Sequence, residues 1–330
     1  MAGRCTLIKA SLANTPIYFM SLFQILALVS KRLEQVMRNF LWSGSVETKK
    51  IHLASWKKIC SHKKKGGLGI RDIRKQNWAL LGKSWWRLAN HENQLWTQVI
   101  RSKYKISSQK WLPKTDSCSI GSGIWKTLIS ILPWFRTNTR FLARGGNRVS
   151  FWEDLWMGSA PLKERFPLLF AIANHKESTI EDGMTLSDHN RAWNPSLRRS
   201  LAEDELLQFA TLSFELHGVF LPQSGMESII WSPSSSEWFT VASFYRVLVE
   251  GTDSDGPSYR AWDSIAPPRT KLFQWLAIQG KPLTLDNLQK RGFQFPNRCI
   301  MCLNEEETVT HRLLHCNFAY SIWSLTIQLF

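Results

Sequence analysis

The sequence predicts a mostly helical α+β protein in three regions. These are a basic helical region at 1–110, a mixed connecting region with short antiparallel hairpins at 111–225, and a small metal-binding domain at 226–330. Three observations predict this arrangement. Apolar residues recur at helical spacing near the N-terminus, two turn-rich stretches sit between β-prone runs in the middle, and soft metal ligands cluster between 299 and 316.

Residues 1–45 read as two or three helices with a break near Asn14-Thr15-Pro16, since proline disfavours helix in the residue before it. The apolar run Pro16–Ser30 is shorter than the ~20 residues that span a bilayer. With Arg4 and Lys9 ahead of it, the run could mimic a secretory signal. Ser21 and Gln24 interrupt it, however, and Leu33, Val36, Met37, Phe40 and Leu41 continue it at helical spacing, so a buried helix pair is the expectation. A loop follows at Ser61–Gly69, where lysines supply charge and glycines allow close approach of backbone. A helix is then predicted from Asp72 or Ile73 to Ala89, with Trp78, Leu81, Trp85 and Leu88 on one face.

In the middle, Phe141–Ala143 and Val149–Trp152 flank the turn formers Gly145-Gly146-Asn147 and are expected to pair as a hairpin. A second strand pair is expected around Ser232–Ser236. Residues 160–225 carry helices without a strong signal. A helix is expected to end near Gly251, and Thr252–Tyr259 reads as a linker. Pro267-Pro268 precede a helix from about Thr270 to Ile278. Thr284 is placed to cap a short helix, with Asp286 in its first turn and Gly292 beyond its end. The tail IWSLTIQLF is expected to be a final packed helix.

Charge is localised. Residues 1–110 hold 21 Lys+Arg against 4 Asp+Glu, a net of +17, whereas residues 111–330 hold 21 against 22, a net of −1. Such an excess points to a polyanionic partner, most often nucleic acid. The 17 tryptophans are mainly core, since a surface carrying them all would aggregate. Six cysteines in a long, core-rich chain fit a reduced, intracellular protein (nucleus or cytoplasm) with one metal cluster better than a disulfide framework.

That cluster is CIMCLNEEETVTHRLLHC. Cys299, Cys302, His311 and Cys316 give the spacing C-x2-C-x8-H-x4-C, three thiolates and an imidazole suited to one tetrahedral zinc. Four protein ligands leave no open position, so the site is structural. His315 competes with Cys316: it lies i, i+4 from His311, while Cys316 lies i, i+5 and needs a frayed or tightened turn, but thiolate is the softer ligand. Glu305, Glu306 and Glu307 read as a solvated turn. Phe293 and Phe295 are expected to pack beneath the metal; stacking on a base, with Arg298 and Arg312 on phosphate, is the other reading.

The segment APPRTKLFQWLAIQGKPLTLDNLQKRGFQFPNRCIMCLNEEETVTHRLLHCNFAYSIW resembles the zinc-binding domain that follows the reverse transcriptase core in plant LINE-type, non-LTR retroelements. AGRCTLIKASLANTPIYFMSLF, NFLWSG, GGLGIRDI and NWALLGKSWWRL are similar to the segment after the polymerase palm, and GNRVSFWEDLWMGSAPL to the connecting region. The resemblance implies a thumb-like role for residues 1–110. It also marks departures. The sequence has no Asp-Asp pair, whereas two-metal phosphoryl transfer needs clustered carboxylates. The chain resembles a thumb and zinc-binding tail without palm, ribonuclease H or endonuclease, so it is expected not to be an enzyme.

Lys49, Lys50, Lys57, Lys58, Lys63, Lys64, Lys65, Arg71, Arg74 and Lys75 are the candidate surface for an RNA or DNA backbone, which a thumb would grip without reading bases. The expected partners are nucleic acid and a catalytic reverse transcriptase supplied in trans, with no membrane and no small-molecule substrate. Two alternatives stand beside this. One is a zinc-stabilised protein-interaction module burying tryptophans against a partner; the other is a retrotransposon remnant without selected function.

Overall fold

A computed structural model describes residues 1–43, 51–90, 94–107, 110–113, 123–187, 190–219, 221, 227–250 and 257–329. In chain order its elements are α1 (Ala2–Leu7), α2 (Ile17–Leu22), α3 (Ala27–Ser43), α4 (Trp56–Cys60), α5 (Ile73–Asn90), α6 (Leu95–Lys103) and α7 (Gly123–Thr137). They continue with β1 (Thr139–Leu142), α8 (Leu162–Arg165), α9 (Pro167–Ile172), β2 (Met184–Ser187), β3 (Asn190–Trp193), α10 (Glu203–His217) and β4 (Ser228–Trp231). The last are α11 (Val241–Glu250), α12 (Arg260–Asp263), α13 (Pro268–Ile278), α14 (Leu285–Gln289) and α15 (Asn317–Gln328). The fold is mostly helical with short antiparallel strands, as the patterning predicts.

The described residues form two compact units, each discontinuous in sequence. One comprises 18–24 and 75–248. Its core is aromatic: Trp85, Trp125, Trp152 and Trp231 are buried with Phe135, Phe141, Phe151 and Phe244. Buried indoles need acceptors, and several have them. Trp85 Nε1 donates to Leu128 O at 2.8 Å, Trp156 Nε1 to Phe151 O at 2.9 Å and Trp231 Nε1 to Ser243 Oγ at 2.8 Å. The predicted α5 face holds, with Leu81, Trp85 and Leu88 buried.

The strand pairing corrects the expected hairpins. β1 pairs with β4, Phe141 opposite Ile229, rather than with Val149–Trp152. Ser150 instead bridges Thr179. After β4 the chain turns so that Trp231 N donates to Glu237 O at 2.9 Å, then enters α11 without a second strand. The first arms of two predicted hairpins thus pair with each other. A hairpin that the patterning missed, β2–β3, joins Met184 to Trp193 across the register.

The other unit comprises 1–17, 25–74 and 249–330, bringing the two ends of the chain together. Met37, Leu41 and Trp42 of α3 are buried, as are Ile59, Leu68, Ile70, and Leu272, Trp275 and Leu276 of α13; α1 packs on both α3 and α13. The break near Pro16 lies between a π turn at Ile8–Leu12 and α2. The buried helix pair is only half realised: Tyr18, Phe19, Leu26 and Leu28 are exposed. The final helix α15 is likewise exposed rather than packed, with Ala319 its buried residue. The expected linker lies outside the described residues at 252–256, while Ser258 is buried. Among the described residues, no helix is long and apolar enough to cross a membrane.

Candidate metal centre

The metal-binding loop begins where the chain turns back on itself. Leu303 N donates to Cys299 O at 2.8 Å and Cys299 N to Glu305 O at 2.7 Å, folding Cys299-Ile-Met-Cys302 into a knuckle. Leu303 closes it in the left-handed region, at φ 57°, and its carbonyl accepts from Arg298 Nε. Thr308 then opens the returning turn, its Oγ1 accepting from His311 N at 3.1 Å.

His311–His315 form a π turn, closed by Cys316 N donating to His311 O at 2.8 Å. This turn resolves the spacing problem. An i→i+5 bond widens the helix by one residue, so residues five apart share a face. His311 and Cys316 therefore converge, while His315 faces solvent. The altered turn is widened, not tightened.

One ligand atom from each of Cys299, Cys302, His311 and Cys316 lies within 4.8 Å of the other three. Tetrahedral Zn–S bonds of ~2.3 Å place sulfurs roughly 3.8 Å apart, so the cluster fits one zinc ion after small adjustment. Cys299, His311 and Cys316 are buried. His311 presents Nε2 to the cluster, 3.4 Å from Cys302 Sγ. Its Nδ1 lies 2.9 Å from Glu305 Oε2, off the line of a good hydrogen bond. Backbone N–H groups of Asn304 and Glu305, then the His311 side chain, lower the Cys302 thiol to about 6, while burial raises Cys299. The donor set is complete without solvent, as a structural site requires.

Glu305 and Glu306 are exposed, as expected of a solvated turn, but Glu307 is not. Glu307 is buried, accepts from Arg312 Nη1 at 3.0 Å, and its backbone N–H donates to Asn297 Oδ1 at 2.9 Å. Its carbonyl accepts from Asp286 N at 3.3 Å, tying α14 to the metal loop. Thr284 sits at the predicted N-cap position, but its hydroxyl turns to Asp286. Glu305, Glu307 and Thr308 were missed as supporting residues. The available signal was Thr308 three positions before His311, the spacing of an N-cap to the amide it accepts from. Phe293 is half exposed and pairs with Phe295 at 6.4 Å; neither belongs to the small core of Cys299, Cys316 and Ala319.

The basic residues fall on short elements of the same unit. Lys57 and Lys58 lie on α4, Lys63–Lys65 form a 3-10 turn, and Arg71 and Arg74 flank the start of α5. Lys57, Lys63, Lys64, Arg71 and Arg74 are exposed; Lys58, Lys65 and Lys75 are half-buried. Lys49 and Lys50 lie outside the described residues, and Lys75 belongs to the other unit. The glycines are spent on the chain itself. Gly66 takes φ 73° with its carbonyl bonded by Trp275 Nε1, and a Cβ on Gly67 would overlap the Ser61 carbonyl.

Residues 239–323 match the family model for zinc-binding in reverse transcriptase. The chain is 30% identical over 333 residues to a putative ribonuclease H protein of Arabidopsis thaliana, covering 98% of this chain and 52% of that one. It is also 32% identical over 159 residues to an uncharacterized mitochondrial protein of the same plant, covering 44% of this chain and 96% of the relative. The chain thus spans about half the length of the first relative. No solved structure matches it. With the Cys3His cluster inside the matched segment and the second relative covered almost end to end, the chain belongs to the plant retroelement proteins related to reverse transcriptases.

Proposed function

We propose that the chain binds RNA or DNA through the phosphate backbone, without reading bases, beside a catalytic reverse transcriptase supplied in trans. The observation that carries this reading is the anchoring of the lysine turn. Lys63 and Lys64 are exposed on a 3-10 turn whose end is fixed by the Trp275–Gly66 bond, so the zinc-binding family segment holds the basic turn in place. Lys57, Arg71 and Arg74 add exposed charge in the same unit. A row of cations on a fixed turn favours phosphates at little entropic cost. No catalytic step is assigned to this chain, whose sequence has no Asp-Asp pair.

The test is binding of a labelled oligonucleotide at about 50 and about 200 mM salt. The expected result is a steep loss with salt, and a slope reduced by roughly one for each of Lys63 and Lys64 changed to Ala. Absence of binding at the lower salt overturns the reading. The exposed α15 favours a second one, a zinc-stabilised protein-interaction module: Tyr320, Trp323 and Ile327 offer apolar surface. On that reading the two lysine substitutions change nothing.

A further inference from the structure

Within the unit formed by 1–17, 25–74 and 249–330, an open cleft of about 800 Å3 lies among α3, the segment 52–58 and the C-terminal end of α13. Among the described residues its charge is one-sided: Arg38, Lys58 and Lys281 line it together with His52, and none of the described lining residues is Asp or Glu. Arg291 Nη1 donates to His52 O at 3.3 Å, bringing a fourth cation against the same segment. Glu34, one helical turn before Arg38 on α3 and within its electrostatic reach, is not part of the lining.

The cleft also gathers donors without acceptors. Arg38 Nε, Trp56 Nε1 and Gln279 Nε2 are all buried with no hydrogen-bond partner among the described residues. All three belong to lining residues, and all three are N–H groups. Buried polar groups are ordinarily satisfied, so the walls of the cleft hold polar N–H groups in reserve. The Arg38 guanidinium lies over the Trp56 ring, 5.6 Å from its centroid, which limits its freedom before any ligand arrives.

A guanidinium and two ammonium groups suit a group that carries several acceptor oxygens and more than one negative charge. The volume exceeds what a bare tetraoxyanion needs and falls in the range of small-molecule sites. We propose that this cleft binds a phosphate monoester carried on a nucleotide-sized ligand. That phosphate could stand at the end of a strand or on a free mononucleotide. The proposal does not rest on the strand-binding reading, because Arg38 and Lys281 lie outside the lysine turn assigned there.

Calorimetry on the full, zinc-loaded chain tests it with four probes: inorganic phosphate, a nucleoside monophosphate, and a short oligonucleotide with and without a 5′-phosphate. Phosphate and the monophosphate are expected to bind. Arg38→Gln and Lys281→Gln should each weaken both by about tenfold, the loss of one charge-assisted hydrogen bond. Lys63→Ala with Lys64→Ala should change them less than about twofold, as expected of sites that act additively. Lys281 is exposed, so its variant keeps its fold even if Arg38→Gln does not. A tenfold gain from the 5′-phosphate on the oligonucleotide assigns the ligand to a strand end; no gain, with the monophosphate still bound, assigns it to a free nucleotide. No heat with phosphate or the monophosphate, or Lys281→Gln binding both like the unmodified chain, overturns the proposal.

Discussion

The indole N–H of Trp275 donates a 2.6 Å hydrogen bond to the carbonyl of Gly66, 209 residues earlier in the chain. Trp275 is wholly buried, and the Ser258 hydroxyl lies where a Gly66 side chain would go. The zinc-binding family segment therefore does more than hold a metal: its helix α13 clamps the basic turn. Lys63 Nζ rests 5.6 Å from the Trp262 ring centroid and reinforces the same junction.

Trp275→Phe keeps a large ring but leaves the Gly66 carbonyl unpaired. The expected loss is about 1–3 kcal/mol in this unit, the cost of a buried polar group without its partner. Chemical denaturation should show it, while zinc stoichiometry stays at one per chain. An unchanged midpoint would show that the bond contributes nothing net.

The glycines of the same loop should separate by mechanism. A Cβ on Gly67 would overlap the Ser61 backbone, which cannot move aside cheaply, so Gly67→Ala is expected to cost about 3 kcal/mol, the upper end for overpacking. Gly69 has φ 67° but nothing nearer than 3.6 Å to its notional Cβ. Gly69→Ala should cost only about 1–2 kcal/mol, the left-handed backbone term. Thermal melts of the two variants give the order directly; a reversed order contradicts the packing described.

The metal should organise its loop almost alone. The local core is Cys299, Cys316 and Ala319, with Met301 and Cys302 against it, far too little apolar area to fold without help. Zinc in finger peptides contributes ~10–16 kcal/mol. Chelation, or Cys299→Ser, is expected to open 297–316 to proteolysis while the tryptophan near-UV signal of the 75–248 core persists. His315→Ala should retain one zinc per chain and Cys316→Ser should not, because the π turn delivers Cys316 and not His315 to the cluster.

How much of this was readable in advance varies with the range of the interaction. Local signals transferred well: the 3.6-residue period of Leu81, Trp85 and Leu88, the proline that starts α13, and four soft ligands at close spacing. Strand partners did not. Gly145-Gly146-Asn147 and Ser232–Ser236 mark reversals of the chain, but a four-residue strand holds too little pattern to say that Phe141 faces Ile229. Nor does a local pattern reveal that glycines at 66 and 67 yield to Trp275 and Ser61 rather than to a ligand. Glu305, Glu306 and Glu307 look alike in sequence. Only the fold distinguishes the one beside His311 from the one buried on Arg312.

That distinction yields the last expectation. Glu305 Oε2 beside His311 Nδ1 should favour the imidazole orientation that presents Nε2 to the metal. Removal of such an outer carboxylate typically lowers metal affinity 10–100-fold. Because Glu305 is largely exposed and its contact is poorly aligned, Glu305→Gln is expected at the low end, about tenfold. The Glu307 side chain pairs with Arg312, and Glu307→Gln weakens that pairing, so its effect should be on stability with zinc affinity within about twofold. Competition against a chromophoric chelator, alongside thermal melts, separates the two. Equal effects of both substitutions on zinc affinity would mean that the acidic tip acts through its overall charge and not through the His311 contact.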